Sequence, residues 1–443
     1  MAGDWRNWAG NQRARPVHTV HARTADEVAA TVRAAAGSGT RVRALGSGHS
    51  FTGVGLPDGV ALRPPSAPAR IRLDGSLVHV PAGVRLHELN RWLWAHGRAL
   101  PNLGDIEQQT VAGAVSTGTH GTGAGYQGIA AGIDGLEIVL ADATVHRLTG
   151  RDAGGRLAGL FDAARTGLGA LGVLTELTLR TVPAFALHAV ETVRPVQEVL
   201  DGMDQLAARH DHVEFYWFPH TDLAVLKTND RTDPADRSGP RRGRAAAWVA
   251  DELLGNAGFG LACRAGELLP GAVPRLNAFL ARRMPATEYA DRSHAVFCSP
   301  RRVRFVEMEY AVPREALPEA FAGLRAAAAR HAGGVTFPVE IRVLGRDDVP
   351  LSTAHGRDTA YLAVHVRAGR PYASYFGAVE PVLAALDGRP HWGKLHTLTA
   401  ARLRPRYPRF TEFVALRDRL DPEGRFRNPY LDRVLGVPCT SQT

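Results

Sequence analysis

The sequence predicts a two-domain α+β chain, and three observations carry that prediction. At 443 residues the chain exceeds what one hydrophobic core ordinarily organises. Short helices and short strands of mixed direction alternate as far as about residue 183, whereas from about residue 185 the alternating apolar stretches lengthen, near 213–227, 303–312, 337–344 and 359–366. Residues 403–436 then read as helix and loop around a Pro422-Glu423-Gly424 turn.

Each early element has a local cause. Thr24-Ala25-Asp26-Glu27 is a capping box, and Val28, Val32 and Ala35 continue a helix that stops at Gly37. A strand over Thr40–Ala44 leads into Leu45-Gly46-Ser47-Gly48-His49-Ser50-Phe51. Residues 69–82 form two short strands about Asp74-Gly75, and Leu86–His96 is an amphipathic helix closed by Gly97. The run Thr110–Gly123, rich in glycine and threonine, reads as poor helix and poor core, with Val111 and Val115 alternating. Leu136–Leu148 is a hairpin about Ala141-Asp142, and Val173–Val182 is a strand ending at Pro183.

Composition narrows the class. Three widely spaced cysteines (Cys263, Cys298, Cys439) make neither a disulfide framework nor a metal-ligand spacing, so no metal is expected and a reducing cytoplasm fits best. The start of the chain has no apolar run of signal-peptide kind, and the longest uncharged apolar stretch, Leu253–Cys263, is half a membrane span, so a soluble protein is expected, with peripheral membrane contact left open. The net charge of +9 is dispersed, and its densest cluster, Arg241-Arg242-Gly243-Arg244, sits in a Pro/Gly/Asp-rich surface loop without interleaved aromatics, which argues against nucleic acid. Only two of the 53 basic residues are lysines, Lys227 and Lys394, and where lysine persists a compact ammonium is needed or chance has spared it.

Three segments carry candidate chemistry. Gly46 and Gly48 let the backbone turn and aim successive N–H groups at a diphosphate, which would put His49 beside a bound cofactor; an ordinary turn with a solvated histidine is the alternative. The Thr110–Gly123 run suits close approach to a flat ligand, against the alternative of a linker. Gly167-Leu168-Gly169-Ala170-Leu171-Gly172 satisfies the dinucleotide fingerprint, but it follows a helix and precedes a strand, the reverse of the required context, so a Rossmann site is rejected.

Five anchors in order resemble the aldonolactone and alditol oxidase branch of the vanillyl-alcohol-oxidase-type flavoproteins. They are Asn7-Trp8-Ala9-Gly10-Asn11, the Gly46–Phe51 loop, Pro101-Asn102-Leu103-Gly104, Glu340-Ile341-Arg342 and Pro390-His391-Trp392-Gly393-Lys394. The resemblance implies a discontinuous FAD-binding domain of the vanillyl-alcohol-oxidase/PCMH type, formed by residues 1–183 with 403–443 returning to it, and an α/β substrate-binding cap over 184–402. It implies FAD attached covalently through His49. The segments Leu45, Gly46, Ser47, Gly48, His49, Ser50 and Phe51, then Thr110, Gly113, Ala114, Val115 and Ser116, then Gly118, Thr119 and His120, match those that hold the diphosphate and isoalloxazine, and Val173 the adenosine half.

The same resemblance makes Arg342 and Lys394 the active-site cations, with Glu340, on the same strand face as Arg342, orienting sugar hydroxyls or Arg342 itself. Alone, Glu340 and Arg342 would read as a surface ion pair. His365 is a weaker candidate for polar contact, and His391 and His396 read as packed or solvated. Gly104 matches the small residue that leaves oxygen room at the flavin; Asp105 replaces the serine that touches substrate in alditol oxidases. The segments Phe215–Asp222 and Lys227–Thr232, with the C-terminal pattern Tyr407-Pro408-Arg409-Phe410 and Leu420-Asp421-Pro422-Glu423-Gly424-Arg425-Phe426, resemble aldonolactone oxidases and favour an aldono-1,4-lactone such as L-gulono- or D-arabinono-1,4-lactone, oxidised at the C2 hydroxyl with oxygen as acceptor. An alditol oxidase, or a lactone dehydrogenase using another acceptor, is the alternative. A non-catalytic basic protein would leave the His49 loop unexplained.

Overall fold

In the computed structural model, which describes residues 4–150, 154–235, 258–299, 301, 303–331 and 333–438, three main sheets follow one another along the chain. The first contains β1 (His18–His21), β2 (Val42–Ala44) and β3 (Val60–Arg63), parallel in the order β1-β3-β2. Parallel strands need a crossover, and α1 (Ala25–Gly37) supplies it. The Thr24 hydroxyl accepts the Glu27 N–H, while Val28, Ala29, Val32 and Ala35 are buried. The second sheet is antiparallel: β4 (Arg72–Asp74), β5 (Leu77–Pro81), β6 (Ile133–Val139), β7 (Val145–Thr149) and β8 (Val173–Arg180), ordered β7-β6-β8-β5-β4. Both predicted hairpins are there. Helix α2 (Leu86–Ala95) also lies where expected and is followed by Gly97 at φ +69°.

The Thr110–Gly123 run departs from the expectation of poor helix. Val111–Ser116 is a helix, α3, capped by the Thr110 hydroxyl, which accepts the Gly113 N–H at 3.1 Å. Val111 and Val115 are one helical turn apart and fully buried with Ala114, so a spacing of four that reads as alternation is the inner face of a helix. The Gly167–Gly172 segment lies between α4 (Leu160–Arg165) and β8, in the order that excludes a Rossmann turn.

The third sheet has eight antiparallel strands: β9 (Ala186–Pro195), β10 (His212–Trp217), β11 (Leu223–Thr232), β12 (Thr287–Arg292), β13 (Phe305–Pro313), β14 (Val339–Leu344), β15 (Thr359–Arg367) and β16 (Arg389–Pro390), ordered β12-β9-β11-β10-β14-β15-β13-β16. Strand alternation gives it two unlike faces. Phe215 and Trp217 pack on Phe321 of α5 (Leu317–His331), and Tyr310 reaches Glu380 of α6 (Ala373–Ala385). The opposite face presents Glu214, Glu307, Glu309, Glu340 and Arg342, all buried. It is covered by the segment after α3: the Thr122 hydroxyl donates to the Val213 carbonyl, the Gly123 N–H to the Val343 carbonyl at 2.7 Å, and His120 stacks on Tyr361 at 3.7 Å.

Beyond the sheet come α7 (Phe410–Leu420) and α8 (Pro429–Leu435). Between them Asp421 accepts the Arg425 and Phe426 N–H groups, and Gly424 adopts φ +66°. The chain thereby returns to the first sheet: the Val42 N–H donates to the Arg425 carbonyl, Arg43 to the Phe426 carbonyl and the Asn428 amide to the Gly53 carbonyl. The Arg241–Arg244 cluster and Cys439 lie outside the described residues. Among the described residues no helix is long and apolar enough to cross a membrane.

Candidate active site

The loop after β2 borders an open cleft lined by residues 45–50, Thr110, Gly113, Ser116, Thr117, Leu168, Gly169, Gly172 and Leu174. The backbone N–H groups of Gly46, Ser47, Gly48, His49 and Ser50 donate to no acceptor among the described residues. The Ser47 hydroxyl is buried without a partner. Five consecutive free amides and an orphaned hydroxyl form a nest of the kind that binds anionic oxygens. Gly46 faces the α3 N-terminus so closely that a Cβ on it would meet the Thr110 hydroxyl at 2.8 Å; one on Gly113 would meet the same atom at 2.9 Å. Arg43 is committed elsewhere, to the Leu168, Gly169 and Phe426 carbonyls, so recognition of a diphosphate falls to the loop amides. The donor set fits the diphosphate of FAD.

The N-terminal anchor explains how this loop is held. The Trp8 N–H donates to the Gly48 carbonyl at 2.7 Å, the Asn7 amide to the Ser50 carbonyl at 3.0 Å and Gln12 to the Phe51 carbonyl at 3.1 Å. Trp8 stacks on His49 with centroids 5.6 Å apart. From the other side, the Phe51 N–H donates to the Gly393 carbonyl at 2.7 Å, and the Thr52 hydroxyl to the Trp392 carbonyl at 2.9 Å. Burial, then the charges of Arg85 and Lys394, push the His49 imidazole down to about 4, so at neutral pH it is uncharged.

On the polar face of the eight-stranded sheet the register aligns a row of charges. Glu214 on β10 lies opposite Arg342 on β14 and Lys227 on β11; Tyr216 lies opposite Glu340, and Glu307 opposite His365. Arg342 donates through Nε to Glu214 at 2.8 Å and through Nη2 to both Glu340, at 2.5 Å, and Asp105. The Tyr216 hydroxyl donates to Glu340 at 2.7 Å. Lys394 pairs with Glu307, which also stands 3.5 Å from His365 Nε2. Glu307, Glu340 and His365 offer side-chain atoms within 4.8 Å of one another, so the Lys394 and Arg342 groups meet at one place. Burial pushes the Glu340 carboxyl up to about 7 against the pull of Arg342, whereas Lys394 and then His365 overcome burial and hold Glu307 down to about 2. Neighbouring carboxyls with such different proton affinities are an acid–base arrangement.

The structure sorts the sequence-derived candidates. Leu45, Gly46, Ser47, Gly48, His49, Ser50, Thr110, Gly113 and Ser116 line the cleft. Ala114 and Val115 do not, because they form the core face of α3. Phe51 packs under Lys394, whose Nζ is 5.3 Å from its ring centroid. The Val173 side chain is buried in the cluster around α1, while its neighbours Gly172 and Leu174 line the cleft on either side of it. Gly118, at φ +75°, and Thr119, bonded to Gln109, lie outside the lining, and His120 reaches the sheet, 3.5 Å from Glu309. Asp105 also belongs to the sheet's charge network, bridging Arg342 and Arg301. A Cβ on Gly104 would stand 3.0 Å from the His120 carbonyl and 3.1 Å from the Thr119 methyl, so the space beside this glycine is taken up by protein. Glu340 and Arg342 are buried, which overturns the surface-pair alternative. His365 is held between Phe305 and Phe337, with Nδ1 3.1 Å from the Pro338 carbonyl. His391 and His396 are both packed, the first accepting the Gly393 N–H and the second bonded to Tyr430.

Glu214, Glu307 and Glu309 are absent from the sequence-derived candidates, and Tyr216 is there only within the Phe215–Asp222 segment. The alternation of Glu307 and Glu309 with Val306, Met308 and Tyr310 was their signal, since acidic residues inside an apolar strand require buried cations.

This fold and nest define an FAD-binding oxidoreductase: residues 16–149 match the FAD binding domain family, and cholesterol oxidase from B. sterolicum has the same fold, at a TM-score of 0.80 and 17% identity over 98% of this chain and 97% of that one. Residues 177–434 match the family described as D-arabinono-1,4-lactone oxidase, and the chain belongs to that family. It is 41% identical to the L-gulono-1,4-lactone dehydrogenase of Mycobacterium tuberculosis, over 98% of this chain and 100% of the relative. It is 30% identical to the L-gulonolactone oxidase of Bos taurus, over 97% and 98%.

Proposed function

We propose that the protein oxidises the C2 hydroxyl of an aldono-1,4-lactone, L-gulono- or D-arabinono-1,4-lactone, and passes the electrons to molecular oxygen to give hydrogen peroxide. The observation that carries this reading is the pair of cations, the buried Arg342 and the partly buried Lys394, gathered beside Glu340 where the sheet meets the His49 loop. In this reading residues 1–183 and 403–443 hold FAD, covalently through the neutral His49 imidazole, and residues 184–402 hold the lactone. The bound flavin supplies the acceptor for the C2 hydride. Glu340 takes the hydroxyl proton, and Arg342 and Lys394 stabilise the charge that develops on the substrate oxygen. Glu307 and His365 fix Lys394, and Asp105 and Glu214 fix Arg342. The family membership supports the lactone, and the names of the relatives include both an oxidase and a dehydrogenase.

Steady-state turnover with L-gulono-1,4-lactone, D-arabinono-1,4-lactone and xylitol, each with oxygen and with an artificial electron acceptor, tests both choices. The expected result is a lactone preference with stoichiometric peroxide. Preference for xylitol would make the protein an alditol oxidase, and turnover confined to the artificial acceptor would make it a dehydrogenase.

A further inference from the structure

Both lysines of this arginine-rich chain are mostly buried on the polar side of the eight-stranded sheet, each against a buried glutamate: Lys394 on Glu307 and Lys227 on Glu214. Lys394 is absorbed by the site above; Lys227 is not. Its ammonium is one carboxylate removed from Arg342, because Glu214 meets Lys227 Nζ through Oε1 at 3.2 Å and Arg342 Nε through Oε2 at 2.8 Å. Asp105 is built alike, shared between Arg342 and Arg301, the latter at 3.2 Å. Among the described residues Glu340 has no such second cation of its own, only Arg342 and the Tyr216 hydroxyl. One guanidinium therefore faces three carboxylates, two of which are shared with a cation of their own.

We propose that Lys227 is a positioning residue for catalysis: by neutralising Glu214 from behind, it prevents that carboxylate from monopolising Arg342 and leaves the guanidinium's charge directed at Glu340 and the substrate oxygen. Inside the protein, where charges are weakly screened, removing Lys227 puts the whole Glu214 charge on Arg342 Nε and weakens the field at the reacting oxygen. Glu191, opposite Lys227 on β9, is the other carboxylate that favours the charged ammonium. The proposal rests on the reading that Arg342 faces the lactone.

The test compares Lys227→Met, Glu214→Gln and the double variant as FAD-loaded enzymes, with kcat and KM for L-gulono-1,4-lactone, flavin content and melting temperature. Lys227→Met should lower kcat about 10- to 100-fold with KM changed by less than about threefold and flavin content unaltered. Removing the stranded carboxylate as well should restore kcat to within about fivefold of the parent, a rescue that a packing role would not give. If Lys227→Met does not fold, Lys227→Gln, which keeps a donor to Glu214, takes its place, and the double variant decides in either case. A kcat of the single variant within about twofold of the parent, or a double variant no better than the single, overturns the proposal. Arg342→Met in parallel separates the two readings. If it retains full turnover, the reading of the site falls; if it is inactive while Lys227→Met is unimpaired, this inference alone falls.

Discussion

His49 and Lys394 have opposite tasks in the same few ångströms of backbone, since the His49 loop and the Gly393 carbonyl are hydrogen-bonded. In the proposed reading the imidazole must be neutral to act as a nucleophile, and burial together with Arg85 and Lys394 keeps it so. In the same reading the ammonium must stay charged to stabilise an oxyanion; Glu307 and Glu309 outweigh the burial that would lower its affinity for the proton. Lys394→Met should therefore reduce kcat by about 10²- to 10³-fold while the acid-stable flavin signal is retained. Near-parental turnover would return Lys394 to a structural role. The scarcity of lysine made this residue conspicuous in the sequence, but its partner Glu307 was not, because a carboxylate's value depends on cations brought in from other strands.

At the scale of elements, two adjacent features predict opposite phenotypes. Gly46→Ala places a methyl 2.8 Å from the Thr110 hydroxyl at the mouth of α3 and should lower flavin content. Val173→Ala leaves a hole in the core around α1 and should cost about 2 kcal/mol of stability with flavin content and turnover unchanged. Flavin loss in the valine variant would show that its side chain, and not only its backbone, supports the cofactor; the check is flavin absorbance per polypeptide beside a denaturant titration. Both hairpins, α1, α2 and the long strands were legible in the sequence because their apolar periods and turn residues are local. Helix α3 was not, because its small residues conceal the period of its buried face, Val111, Ala114 and Val115. The Glu340–Arg342 pair was found through its motif, whereas Asp105 and Glu214 reach Arg342 only through sheet register and a loop from elsewhere in the chain.

For the molecule as a whole, joining the nest to the charged face of the eight-stranded sheet buries many titratable groups. His212 and His391 are pushed down to about 4 and His396 further, in each case chiefly by burial. A histidine of lowered affinity is neutral when folded and takes up a proton on unfolding, so its stabilisation is complete above about pH 6.5 and is lost as pH falls towards 4. Glu340, raised to about 7, and Asp347 and Asp421, also raised, have the opposite sign, but the lowered histidines, with His49 and His294 among them, outnumber these carboxyls. The melting temperature should accordingly fall between about pH 6.5 and 4.5, each histidine contributing up to about 1.4 kcal/mol per pH unit; a flat or rising profile would contradict the buried assignments. The central claim, a lactone oxidised at a flavin bound through His49, is tested most directly by the visible spectrum of the purified protein and of its His49→Ala variant, before and after acid precipitation and after anaerobic addition of L-gulono-1,4-lactone. The account predicts a yellow colour that stays with the precipitate of the parent, leaves that of the variant and is bleached by the lactone. A colour that stays with the precipitated variant, or a parent whose flavin the lactone does not reduce, would contradict it.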